Sequence, residues 1–181
     1  MKGPIKVWTD IYQIGGPEIT GSGDCCVYLV DAGTQLLLID SGAGKTFENL
    51  IQNIRKLELE PDDLNSVVVT HGHIDHIGAL TEFKDKYGVD VIAHEPDIEW
   101  IETGKNTVAE AYNMDYHPCK VDVKLSGERE ERSFGEHELT FLHIPGHTPG
   151  SIACYVDIEG KRVLFGQDIH GPYNLPGADR K

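Results

Sequence analysis

Basic residues are scarce in this chain. Sixteen lysines and arginines face thirty aspartates and glutamates, for a formal net charge of −14. That balance works against a nucleic-acid groove or an anionic membrane surface, because both need clustered positive side chains. Long apolar runs are missing too: no segment could span a bilayer, and residues 1–6 lack the apolar stretch of an export signal. Cysteine is sparse, and Cys25, Cys26, Cys119 and Cys154 show neither zinc-ribbon nor redox-pair spacing. All four read as reduced thiols, and the expected compartment is the cytoplasm. Repeats and low-complexity tracts are lacking. A chain of 181 residues with 39% hydrophobic content then reads most simply as one domain over residues 1–181.

Histidine, by contrast, is concentrated. His71-Gly72-His73-Ile74-Asp75-His76 follows directly on the apolar run Val67-Val68-Val69-Thr70. Four ligating side chains in six positions at a strand end fill no core, and they repel one another when protonated. Imidazole and carboxylate are the ligands that zinc and similar divalent ions prefer. The pattern therefore reads as a metal site rather than a solvated loop, and the chain as a metalloenzyme.

The apolar pattern around this motif alternates strand and helix. Ile5–Trp8 and Ile11–Ile14 read as an opening strand pair. Cys25–Val30 and Gln35–Ile39 read as strands flanking a hairpin turn at Asp31–Thr34. From Thr46, Phe47, Leu50, Ile51, Ile54 and Leu57 recur at helical steps. A strand is expected at Ser66–Thr70, a second helix at Ile77–Tyr87, a strand at Val89–Ala93 and a short helix at Glu95–Glu102. Residues 104–137 carry little periodicity, and the charged run Glu128–Arg132 reads as a solvated face. Three further strands follow at Leu139–Leu142, Ser151–Val156 and Arg162–Phe165. Interspersed strands and helices predict an α/β or α+β layered domain.

Two later pieces complete a pattern: Ile144-Pro145-Gly146-His147-Thr148-Pro149-Gly150-Ser151 and Leu164-Phe165-Gly166-Gln167-Asp168. Taken with residues 71–76 and Leu38-Ile39-Asp40-Ser41-Gly42, the chain resembles the metallo-β-lactamase-fold hydrolases, with the glyoxalase II-like branch nearest. The resemblance implies an α+β fold, a four-layer αββα sandwich with metal held along one edge between two sheets. It implies two divalent ions, zinc first and iron as the alternative. His71, His73 and His147 would hold the first, Asp75 and His76 the second, and Asp168 would bridge them. Asp75 would also act as the catalytic acid–base group. Asp40 is expected behind a ligand imidazole, with capping of the Ser41–Gly44 turn as the plainer role. Gly72 and Gly146 are expected to need dihedrals closed to residues with a Cβ, and Pro145 and Pro149 to stiffen the loop that aims His147.

The implied reaction is hydrolysis of a thioester, ester or lactone carbonyl by a hydroxide held between the ions. A mononuclear iron persulfide dioxygenase on the same fold is the alternative. The lack of an export signal disfavours a true β-lactamase, and the negative charge disfavours tRNA processing. The expected partner is a small molecule, with no nucleic acid or membrane, and a homodimer is left open. The chain departs from the family at its end. A further ligand histidine, the last strand and the last helix are not found after Asp168, where His170 is the sole histidine. His170 is read as a pocket residue, and an omitted C-terminal portion as the favoured explanation, ahead of a ligand from another subunit or a degraded second site. His94 is expected to cap a helix start, His143 to pair locally, and residues 104–137 to fold over the site with Tyr112 and Tyr116 shaping the pocket.

Overall fold

The computed structural model of the chain describes residues 2–170, the last two by their backbone alone. The pocket role expected of His170 therefore lies outside the described side chains. The first sheet has seven strands in sequence order: β1 (Ile5–Trp8), β2 (Ile11–Gln13), β3 (Tyr28–Asp31), β4 (Leu36–Ile39), β5 (Leu64–Val68), β6 (Asp90–His94) and β7 (Val123–Leu125). Pairing is antiparallel from β1 to β4 and parallel from β4 to β7. Parallel neighbours need a crossover. The crossovers carry α1 (Phe47–Lys56), α2 (Ile74–Ile77) with α3 (Leu80–Tyr87), and α4 (Ile98–Thr103). A second, antiparallel sheet has the order β11 (Lys161–Phe165), β10 (Ile152–Ile158), β9 (His137–His143), β8 (Arg129–Phe134).

Strand alternation explains the layering. Leu36, Leu38, Val67 and Val91 face α1, α3 and α4, whereas their neighbours Leu37, Ile39, Val68 and Ile92 face Leu139, Phe141, Ile152 and Phe165 of the second sheet. Strands buried on both faces read as continuous apolar runs, as these do. A helix of ten residues is marginal alone. Burial of Leu50, Ile51 and Ile54 holds α1 in place, each contributing about 1.5–3 kcal/mol relative to exposure. The result is an α+β sandwich with layers in the order helix, sheet, sheet. Among the described residues no helix covers the outer face of the second sheet, and none is long and apolar enough to cross a membrane.

Several expectations are corrected. Residues 104–137, where periodicity is weak, contain two strands that the pattern did not reveal, β7 and β8. The run Glu128–Arg132 is solvated, as expected, but it belongs to an edge strand whose residues alternate between exposed and half-buried. Charges suit such an edge because they discourage pairing with another chain. The helix read at Ile77–Tyr87 is two pieces, divided at Gly78–Ala79. Cys25 and Cys26 precede β3 instead of lying in it.

Candidate metal centre

Parallel strands place their carboxyl ends side by side, the usual location for a site in such sheets. β4 delivers Asp40, β5 delivers Thr70 and the turn at residues 71–76, and β6 delivers Asp97. Asp40 is buried with φ +62, a left-handed conformation that aspartate tolerates better than most residues. Its Oδ1 accepts the Thr70 N–H at 2.8 Å, and its Oδ2 accepts the Thr70 hydroxyl at 2.7 Å and His76 Nδ1–H at 2.8 Å. Of its two expected roles, Asp40 therefore takes the one behind an imidazole. The bond fixes the His76 tautomer and turns Nε2 outward.

Four imidazoles meet in front of these strand ends. Ring centroids lie 4.0 Å apart for His71–His76, 4.7 Å for His71–His147 and 4.6 Å for His73–His147. His73 Nδ1 is 3.0 Å from His147 Nε2. Asp168 lies 3.3 Å from His147 Nε2 and 3.6 Å from His76 Nε2, and Asp75 is also 3.6 Å from His76 Nε2. Donor atoms of His71, His73 and His147 lie within 4.8 Å of one another, as do those of His71, His76 and Asp168. Four-coordinate zinc with bonds near 2.0–2.1 Å sets its donors about 3.3 Å apart, so donors this close suit a divalent ion. The chemistry of the donors fits as well. Nε2 of both His71 and His76 is buried without a hydrogen-bond partner, which costs free energy unless some ligand satisfies it. A third grouping of Cys25, Asp40 and His76 lies behind the site. There Asp40 and His76 already satisfy each other.

The electrostatics favour neutral imidazoles at His71 and His73. Burial, reinforced by the neighbouring imidazoles, holds His71 and His73 below the ordinary histidine pKa. Burial raises the Asp75 carboxyl above its usual value. Burial alone would lower His76, but Cys25 and Asp40 together outweigh it and raise the ring well above the ordinary histidine value. Cys25 beside it is pushed up to about 12 by burial, a neutral thiol near pH 7. A cavity of about 470 Å³ opens over His76, Asp75 and Asp168, with Cys26, Tyr28 and Phe165 in its wall.

The glycine expectation is corrected. Neither Gly72 nor Gly146 has a positive φ. A Cβ on Gly72 would instead crowd Trp100 at 3.3 Å, and one on Gly146 would meet open space. Close approach governs Gly78 and Gly150, where a Cβ would lie 2.3 Å from the Ala43 backbone and 2.7 Å from Asp97. His94 caps nothing: its Nε2–H donates to the Gly127 carbonyl at 3.3 Å, and its ring stacks on His143 at 3.8 Å. His143 pairs locally, donating to the Pro149 carbonyl. The loop at residues 104–113 is anchored by Ile74 N–H to the Thr107 carbonyl at 2.8 Å. Burial and the nearby Asp75 raise the pKa of Tyr112, which is largely exposed beside Asp75. Tyr116 instead packs on the core and donates to the Ile101 carbonyl, away from the pocket. Sequence reading missed Asp97, Trp100, which stacks on His73 at 6.2 Å, and Gly78. Nothing local in Glu95-Pro96-Asp97 signals a buried acid.

Comparison with known proteins supplies the remaining context. Residues 20–178 match the sequence model of a family described as the metallo-beta-lactamase superfamily. The chain is 28% identical over 152 residues to the hydroxyacylglutathione hydrolase GloC of Haemophilus influenzae, covering 83% of this chain and 68% of that protein. It is 29% identical over 130 residues to the probable metallo-hydrolase YqgX of Bacillus subtilis, covering 71% and 59%. A metallo-beta-lactamase from Cronobacter sakazakii superposes with a TM-score of 0.79 at 23% identity, covering 91% of this chain and 63% of that one. The chain thus spans about three fifths of that structure and of YqgX, and about two thirds of GloC.

Proposed function

The chain belongs to the metallo-beta-lactamase superfamily, and from that premise we propose that it is a metal-dependent hydrolase acting on a thioester, ester or lactone carbonyl. The observation that carries the reading is the pair of donor groups that share His71, of which His76 and Asp168, with Asp75 beside them, line an open cavity. His71, His73 and His147 would hold one divalent ion, and His76, Asp75 and Asp168 a second. Zinc is the expected metal. Bound there, the ions would supply Lewis acidity that makes water nucleophilic near neutral pH and polarises a carbonyl.

The protein's own groups do the rest. Neutral imidazoles bind a dication without cancelling its charge. Asp75, with a carboxyl pKa raised by burial, is suited to take a proton from water and pass it to the leaving group. Tyr112, close to Asp75, is the candidate to contact an acyl substituent. A thioester is favoured over the other carbonyls by the relative named a hydroxyacylglutathione hydrolase. The reading includes a small-molecule substrate and a cytoplasmic setting.

Elemental analysis of protein prepared without added metal, followed by assay of a hydroxyacyl-glutathione thioester, tests this. Zinc near two equivalents (about two, for a pair of sites) together with thioester cleavage is expected, and His73→Ala should lose both metal and cleavage. Iron with oxygen uptake on glutathione persulfide would overturn the reading, as would unchanged turnover in His73→Ala.

A further inference from the structure

We propose that Asp97 is a positioning residue that sets the spacing of His73 and His147 by clamping the two loops that carry them. The inference rests on the metal-site reading above. Asp97 follows β6 at the end of a short 3-10 turn and is 1% exposed. Its Oδ2 accepts the Gly72 N–H at 2.9 Å and the Thr148 hydroxyl at 2.6 Å, and its Oδ1 accepts the Gly150 N–H at 2.7 Å. Gly72 lies between His71 and His73, and Thr148 directly follows His147. One carboxylate therefore joins two chain segments more than seventy residues apart, at the same place where His73 and His147 approach to 3.0 Å.

The clamp extends one step further. Thr148 has a single hydroxyl proton, which Asp97 takes. Ser151 must then donate its own to Thr148 Oγ1 at 2.9 Å, while Ser151 Oγ accepts the Thr148 N–H at 2.9 Å. Thr148 and Ser151 are both buried, so water does not compete for these bonds. Gly150 is required by the same contact, because a Cβ there would meet Asp97 Cγ and N at 2.7 Å. Three donors converge on two oxygens, an arrangement that suits a carboxylate and not an amide. Asparagine would turn an NH2 group against an N–H or O–H. The three partners are all neutral, so a dication held by His73 and His147 would complement the buried negative charge. Groups behind a ligand shell typically change metal affinity 10–100-fold when removed.

Zinc affinity of the metal-free protein, measured by chelator competition, tests the assignment alongside thermal melting of the metal-free forms. Asp97→Asn is expected to weaken zinc binding roughly 10–100-fold. Thr148→Val should weaken it by a smaller factor, and Thr148→Ser, which keeps the hydroxyl, should return to within about twofold of wild type. A purely structural Asp97 would lower the melting temperature and leave the folded protein's zinc affinity unchanged; that result overturns the proposal. So does equal weakening by Thr148→Val and Thr148→Ser, a comparison that stands even if the Asp97 variants fail to fold. Wild-type protein that takes up no metal overturns the hydrolase reading instead. Tight wild-type binding matched by every variant overturns only the role of Asp97.

Discussion

The Asp40 carboxylate lies 2.8 Å from His76 Nδ1, a partner 36 residues later in the chain, and takes two more hydrogen bonds from Thr70. One buried acid at the end of β4 thus orients the turn at the end of β5. Asp40→Asn keeps a residue tolerant of φ +62 but removes one acceptor oxygen. It is expected to retain the fold and bind metal 10–100-fold more weakly. Asp40→Ala adds backbone strain and leaves the buried Thr70 donors unpaired, at a cost of about 2–4 kcal/mol. Metal titration and chemical denaturation of both variants separate the two effects.

His71 is common to both donor groups, whereas Asp168 enters only one. His71→Ala breaks the three-imidazole group and also removes a neighbour of the second, so it is expected to retain less metal after dialysis than Asp168→Asn. Asp168→Asn leaves the three-imidazole group intact and should keep about one equivalent. Elemental analysis of the dialysed proteins checks the difference.

Gly78 separates α2 from α3 and donates to the Gly42 carbonyl at 2.8 Å. A Cβ there would sit 2.3 Å from the Ala43 carbonyl carbon, and neither backbone can yield without moving the turn after Asp40. Gly78→Ala is expected to destabilise the protein by roughly 3 kcal/mol, read as a shift in the denaturation midpoint. Gly146→Ala, with open space around it, should change stability by less than about 0.5 kcal/mol.

Asp122 offers a pH test away from the site. Partial burial raises its pKa, but the Lys84 ammonium of α3 and the Val91 N–H at 2.9 Å prevail and hold the carboxyl below its ordinary 3.8. A depressed carboxylate contributes stability at pH values above 3.8, and that contribution fades as pH falls through the folded-state value. Asp122→Asn should therefore cost about 1 kcal/mol near pH 7, a figure already discounted for solvent screening. Below the folded-state pKa of Asp122 the loss should become negligible. Urea unfolding across this range reads the difference.

Much of this architecture was visible in local pattern. The apolar runs at β4, β5 and β6 are continuous because both faces are buried, and α1 announces itself through Phe47, Leu50, Ile51 and Ile54. β8 escaped notice because its half-buried positions Glu130 and Arg132 are charged like the exposed Arg129 and Glu131, so no apolar alternation shows there. The His71–His76 cluster is equally legible, since those residue types at that spacing have no use in a core.

The donor types, the strand ends that carry them and the family resemblance are written locally, because each depends on residues close together in the chain. It takes the folded chain to show that Asp40 serves His76 rather than its own turn, that Gly78 and Gly150 are held by close approach while Gly72 and Gly146 have no left-handed backbone, and that Asp97 joins two loops. Those relationships arise where parallel strand ends and the loops of a second sheet converge. Hydrogen bonds and steric limits between segments that distant leave no trace in local composition.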